Sequence, residues 1–542
     1  MLNSWSAQCE LPLIPRYPAE NSAKHQDSQV SQRYRAERDA ILGKFPRSLR
    51  ELLDQRFEQS YLQAGKNIDL VGESIIGVGK FALDDLNRAN QRFKKAKVHF
   101  AFSNSRIRLE ARRCTAACRQ VVAKSASKHH AYAACASLAK QKGVVPPMPA
   151  GEIKTLDGCI NRFISRKWWS KSLRKSSIRT AEAALRDAGL VSKHTGVYAS
   201  NDAVNRRIES RKRGREFLKS MAAVNDLGEW FPLDKLVDAS VSNPKVRRSE
   251  LMARLAGLES DCRKEGFVAD HYTLTTPSRF HRTLARCAPN IKFDGSDPRA
   301  GQKWLLTFWS RIRAKLKRDK IDIRGIRVAE PHHDGTPHWH LLLFCAPEDR
   351  NRVRATIRKY MLQDSGDEPG AAARRVNIEA IDYSRGTGVG YLAKYISKNI
   401  DGYGIDRDFE TRNDVTVKDA AVRVETWAST WGIRQFQFFG AAPVGVWREL
   451  RRLRTETVES LEPVRRLVDK GDWANFTNAI MRIGGKIRKF TISLWRKWFD
   501  QPGEYGDPIG FKTVGVQSDT ERVITRERTW EIVPAGPLEF CQ

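Results

Sequence analysis

Two histidines spaced as His-x-His, His338 and His340, follow a polar turn and a glutamate, Glu330, in residues 330–344 (EPHHDGTPHWHLLLF). The segment reads as a hairpin. One strand ends near Glu330, Asp334-Gly335 supply the turn, and a second strand runs from His338 into Leu341-Leu342-Leu343-Phe344. Side chains alternate along a strand, so His338 and His340 share a face and Trp339 points the other way. An odd-length loop centred on Gly335 sets Glu330 opposite His340 on that same face. Two imidazoles and a carboxylate then converge as a metal-binding set. Such sets also serve iron oxygenases and zinc hydrolases, so the ligands alone leave the reaction open. His332 and His333 are expected to be solvent-exposed turn residues.

Downstream, GTGVGYLAKYISKNI (residues 386–400) reads as a glycine-punctuated loop leading into a helix. Tyr391 and Tyr395 are four apart and stack on one helix face. Lys394 and Lys398 each follow a tyrosine by three residues, close enough to bring an ammonium to a phenol. A phenol, with a pKa of about 10, is a poor nucleophile at neutral pH. It becomes useful where a metal polarises the electrophile and a cation favours the phenolate. On a strongly basic chain the electrophile that suits this set is a DNA phosphodiester.

In these motifs the chain resembles the bacteriophage replication gene A proteins, two-tyrosine HUH endonucleases of rolling-circle replication. The likeness rests on HYTLTTPSRFH (271–281), IRVAEPHHDGTPHWHLLLF, GVGYLAKYISKNIDGYG and WASTWGIRQFQFFGAAPVGVWRELRRL (427–453), and extends over residues 155–455. It implies that Glu330, His338 and His340 hold Mg²⁺ or Mn²⁺. It further implies that Tyr391 or Tyr395 attacks a phosphate at a single-stranded or supercoiled origin, leaving a 5′-phosphotyrosine and a 3′-hydroxyl primer. Lys394 or Lys398 would stabilise phenolate or phosphate charge. Host polymerase and helicase are the implied partners, and the cytoplasm of a bacterial host the implied location. Rival readings are a two-tyrosine transposase or plasmid relaxase of the same chemistry, and a non-catalytic DNA-binding regulator.

A formal net charge of +32 implies attraction to polyanions, and 542 residues are too many for one core. No membrane span or secretion signal is expected. Nine cysteines suggest no disulfide framework. Cys114, Cys118, Cys135 and Cys159 bracket His129 and His130, but their alanine-rich surroundings read as helix and favour packing over zinc. SIIGVGKF (74–81) lacks the first glycine of a phosphate loop and the Ser/Thr after Lys80, so no nucleotide cofactor is expected.

The expected plan is multidomain: an α-helical N-terminal part plus an α+β HUH-endonuclease domain with an antiparallel sheet and helices on one side. Residues 1–34 read as loosely ordered and 35–145 as a helical domain. Residues 152–230 read as a basic helical region with a possible DNA-binding helix-turn-helix around 178–207. The catalytic domain is expected at 245–445, with strands near 271–276, 323–330, 338–345, 375–381 and 433–439. Residues 364–375 read as a surface loop. Residues 455–542, to which no chemistry is assigned, begin with a helical stretch containing Trp473 and Trp495 and end in a strand-like run.

Overall fold

The computed structural model describes residues 29–43, 50–51, 53–54, 83, 86–92, 104–283, 290–404, 416–453, 458–484 and 487–535. Most of the expected helix SLRELLDQRFEQSYLQAG and all of SIIGVGKF lie outside the described residues, as does most of the 1–34 segment. The chain divides into two compact units, residues 1–87 and 88–542. In the first, the helix Gln29–Leu42 buries Ile41 and Leu42. The boundaries expected near 145, 230–245 and 445 all fall inside the second.

The second unit is built on a five-stranded sheet of β1 (Val268–Leu274), β2 (Arg324–Pro331), β3 (Pro337–Cys345), β4 (Val376–Ala380) and β5 (Phe436–Phe439). The order is β4-β1-β3-β2-β5, with every neighbouring pair antiparallel. β2 and β3 are buried along their whole length. This corrects the expectation of helices on one side. On one face Leu341 and Leu343 pack with the helices α7 (Pro298–Arg318), α8 (Arg350–Met361) and α10 (Val417–Trp431). On the other, Leu342 and Phe344 pack with α6 (Pro244–Lys264) and α9 (Gly388–Lys398). An uninterrupted Leu-Leu-Leu-Phe run puts apolar side chains on both faces, so both need cover.

Ahead of the sheet come α1 (Asn104–Lys124), α2 (Lys128–Gln141), α3 (Leu156–Phe163), α4 (Arg166–Asp187) and α5 (Asn201–Lys219). Cys114, Cys118 and Cys135 sit among Phe163, Trp169 and Leu173 in an apolar core, as packing residues. Cys159 is buried as well. Residues 188–200 join α4 to α5, a connection far longer than the ~3–4-residue turn of a helix-turn-helix. The expected motif is therefore absent from this helix pair. Helix α4 instead reaches the sheet. Buried Arg186 donates from Nε to Asp334 O at 2.7 Å and from Nη2 to Thr336 Oγ1 at 2.8 Å.

After β5, Trp447, Trp473 and Phe476 form a separate cluster with Val516. Trp495, expected in a helix, lies in the strand Ser493–Pro502, which pairs with Pro508–Gln517. The strand Trp530–Pro534 returns to pair with Met221–Asn225, whose other edge holds Trp230–Pro232.

Candidate metal and tyrosine site

The β2–β3 hairpin carries the metal-ligand candidates. Glu330 pairs with His338 and Val328 with His340, so the loop is His332–Thr336, centred on Asp334 and not on Gly335. Moving the centre by one residue shifts each partner by two. The register expected for Glu330 is thus wrong, yet all three side chains keep one face. Their ligand atoms lie within 4.8 Å of one another. His338 Nε2 is 3.0 Å from His340 Nε2, and His340 Nε2 is 3.9 Å from Glu330 Oε2.

All three residues are buried. Burial first, then neighbouring imidazoles and lysines, holds both histidines well below their usual pKa. They are therefore neutral, with a lone pair free to bind a cation. Thr273 Oγ1, on β1, lies 3.3 Å from His340 Nδ1 and leaves Nε2 turned to the centre. Two nitrogens and one carboxylate oxygen, facing each other, fit a divalent ion.

The turn itself is not solvent-exposed. Asp334 is fully buried and accepts from the Arg282 N–H at 2.7 Å and the Thr336 N–H at 2.9 Å. His333 is buried, with Nε2 3.1 Å from Thr283 Oγ1, and the His332 ring packs on His338 with centroids 4.0 Å apart. The α4 and α10 helices clamp the loop, Trp427 Nε1 donating to Gly335 O at 2.8 Å. Gly335 takes the left-handed backbone (φ 78°) that closes it.

Helix α9 lays the tyrosines across this face. Thr387 caps it through the Gly390 N–H at 3.0 Å, and Glu259 of α6 accepts from Gly388 N–H at 2.7 Å and Val389 N–H at 3.0 Å. A carboxylate at a helix N-terminus satisfies free donors and complements the helix dipole. Gly388 admits this approach, since a Cβ there would meet Leu342 Cδ2 at 2.9 Å.

The two phenols differ. Tyr395 stacks on His340 with centroids 3.7 Å apart, and burial, then Glu330 and Glu379, pushes its pKa up. Tyr391 is 39 % exposed, and its hydroxyl donates to Glu379 Oε2 on β4. Lys394 Nζ sits 5.4 Å from the Tyr391 ring centroid and 4.8 Å from that of Tyr395. Lys398 turns instead to Glu330 Oε2, 3.6 Å away.

Four contributors were not among the expected site residues. Asn399 donates to Glu330 Oε1 and is held by Gln435 Nε2 at 3.0 Å. Glu379 meets Tyr391. His271, 2 % exposed, stacks with Tyr395 at 5.6 Å and His340 at 5.4 Å, and burial, then Lys394, drives its pKa down to about 4. His271 stands inside the quoted HYTLTTP segment, so alternation along that strand is the signal that finds it.

No helix among the described residues is long and apolar enough to cross a membrane. No solved structure matches the chain. Residues 101–403 match the family of the bacteriophage replication gene A protein (GPA). The replication gene A protein of Escherichia phage 186 is 41 % identical over 400 residues, 70 % of this chain and 57 % of that protein. The probable replication protein P12 of Pseudoalteromonas phage PM2 is 38 % identical over 394 residues, 71 % and 60 % of the two chains. A probable replication endonuclease from a prophage-like region of Shigella boydii serotype 4 (strain Sb227) is 34 % identical over 399 residues, 70 % and 49 %. The chain thus spans about half to three-fifths of the length of these relatives. With the match covering more than half of its residues, the chain belongs to the bacteriophage replication gene A protein family.

Proposed function

We propose that this protein is a replication-initiation endonuclease that nicks one DNA strand at an origin through a tyrosine nucleophile and later rejoins the displaced strand. The observation that carries the reading is the stacking of Tyr395 on His340, with Tyr391 one turn away, over a neutral two-histidine, one-carboxylate set. Replication endonucleases among its relatives support the same reaction class.

In the reaction, a tyrosine Oη bonds to phosphorus while the bond to O3′ breaks. The phenol proton is lost and the leaving oxygen gains one, ending as a 3′-hydroxyl that primes a host polymerase. Mg²⁺ or Mn²⁺ held by Glu330, His338 and His340 would neutralise charge on the non-bridging phosphate oxygens. Lys394, near both rings, would stabilise negative charge that develops on the attacking oxygen or the phosphate. Lys398 and Asn399 fix Glu330. The phosphotyrosine bond keeps the energy of the phosphodiester, so the second tyrosine can attack the regenerated site and the freed 3′-hydroxyl can close the displaced strand without a nucleotide cofactor. Strand separation falls to a host helicase, in the host cytoplasm.

The test is Tyr391→Phe and Tyr395→Phe, singly and together, which remove only hydroxyls. Each single variant should still form a covalent adduct with a labelled single strand, the double variant none, and neither single variant should complete circle closure. An adduct in the double variant would place the nucleophile elsewhere, and full circle closure by one single variant would make the other tyrosine structural.

A further inference from the structure

A groove apart from the reaction centre runs along helix α4. Lys175, Arg179, Ala183 and Asp187 recur four apart and line one stripe of it, with Ser176 and Thr180 between them. Residues 293–299 and Arg92 form the opposite side, and the cavity holds about 1010 Å³. That is the upper end of the ~300–1,000 Å³ usual for small-ligand sites and far more than one phosphate fills.

Charge in this groove is unbalanced. Its carboxylates are engaged: Asp187 by Arg92 at 2.6 Å, Asp294 by Ser296 N–H at 2.8 Å, and Asp297 by Ala300 N–H at the start of α7, at 3.0 Å. Among the described residues no carboxylate forms an ion pair with Lys175 or Arg299. Arg179 is fixed by a 2.8 Å bond from Nε to Thr430 O, a neutral partner. The Lys175 ammonium is held below its usual pKa, first by Arg179, then by burial and by Arg299 and Lys171. The Arg179 guanidinium is likewise held below its usual pKa, first by burial and then by Arg299, with Asp297 opposing. These cations crowd together without their counter-charge, and an anion would relieve the crowding.

We propose that the groove is a second DNA site, in which Lys175, Arg179 and Arg299 take backbone phosphates of DNA beyond the nicked phosphodiester. Cations interleaved with hydroxyls suit phosphate and sugar, and Phe293, the one aromatic among the described lining residues, is buried and offers no open face to a base. Helix α4 ties the two sites together, since Arg186, next to Asp187, braces the metal hairpin through Asp334 O. DNA held in the groove is thereby held on the helix that positions the hairpin. The inference takes from the proposed function only that DNA is the substrate.

The test measures binding of a long single strand by the full chain in EDTA, so that no cleavage intervenes and failure of the tyrosine chemistry leaves the result intact. Lys175→Gln/Arg299→Gln removes two exposed charges outside the reaction site. It should weaken binding roughly tenfold and lower the slope of log affinity against log salt by about 1.4, as two single-strand phosphate contacts require. Lys175→Arg/Arg299→Lys should restore both. A charge-matched control, Lys470→Gln/Lys512→Gln, should change affinity by less than about threefold. Unchanged affinity and slope in the first variant would overturn the proposal, as would an equal loss in the control, which would mean a general field. A third overturning result is calorimetric loss of inorganic pyrophosphate binding with DNA binding intact, which would assign the groove to a free polyphosphate.

Discussion

Asn399 does more for the site than its place just past a helix end suggests. Fully buried, it donates to Glu330 Oε1 and to Tyr395 O, the latter at 2.7 Å, while its own carbonyl accepts from Gln435. Partners of this kind orient a metal-binding carboxylate, and losing one costs about 10–100-fold in metal affinity. Asn399→Ala should therefore weaken Mn²⁺ binding by that range, read as free Mn²⁺ in an electron-resonance titration, with helix content unchanged by circular dichroism. Wild-type affinity would reduce Asn399 to packing. The histidines, Glu330 and both tyrosines were legible because each obeys a local period, two along a strand or four along a helix. Asn399, Gln435 and Glu379 obey none, arriving from separate elements that only the folded chain brings together. The turn histidines were misjudged for the same reason, since α4 and α10 cover the loop from distant parts of the chain.

At the scale of elements, the tyrosine helix is held by its first turn. Glu259→Ala would leave the Gly388 and Val389 N–H groups without acceptors, a loss of about 1–3 kcal/mol for buried donors. The expected result is a lower melting temperature together with slower adduct formation, the helix no longer being pinned over the hairpin. Adduct formation at the wild-type rate would show that the sheet alone positions it. The segment read as a surface loop, 364–375, is tied down as well. Asp364 accepts from Arg279 Nη1 at 2.8 Å and Nη2 at 2.7 Å, and from Trp304 Nε1 at 2.7 Å.

These bonds, Arg279 first, hold the Asp364 carboxyl down to about 2. A depressed carboxyl stabilises the fold above its unfolded pKa of about 3.9 and stops doing so as pH falls through about 2. Asp364→Asn should cost on the order of 2 kcal/mol at pH 7, with the gap to wild type narrowing as pH falls below about 4, followed by urea unfolding. A gap that does not vary with pH would mean that the loss is one of packing. Strand and helix positions were readable from periodicity. The unbroken run Leu341–Phe344 implied cover on both faces, but which helices supply it was not readable.

For the molecule as a whole, charge was the most legible property. A net charge of +32 can be counted from the sequence alone. The contact of Arg186 with Asp334 O crosses the seam expected at 230–245, and that of Thr155 N–H with Asp507 Oδ1, at 2.8 Å, crosses the one at 445 as well. Such pairings join residues distant in sequence, and no local pattern announces them.

The strand Met221–Asn225 carries the furthest of these consequences, because its partner Trp530–Pro534 lies far along the chain. As the polypeptide leaves the ribosome, the earlier strand is made with Trp230–Pro232 on one side and a bare hydrogen-bonding edge on the other. That edge stays open until synthesis has passed Trp530–Pro534. Until then Ala222 and Ala223 sit on an open template that another unfinished copy can extend. A chain stopped after Arg528 should therefore self-associate, its apparent mass in light scattering rising with concentration where the full chain's does not. A stopped chain that stays monomeric at every concentration would show that the exposed edge is harmless and that the strand Trp530–Pro534 closes nothing of consequence.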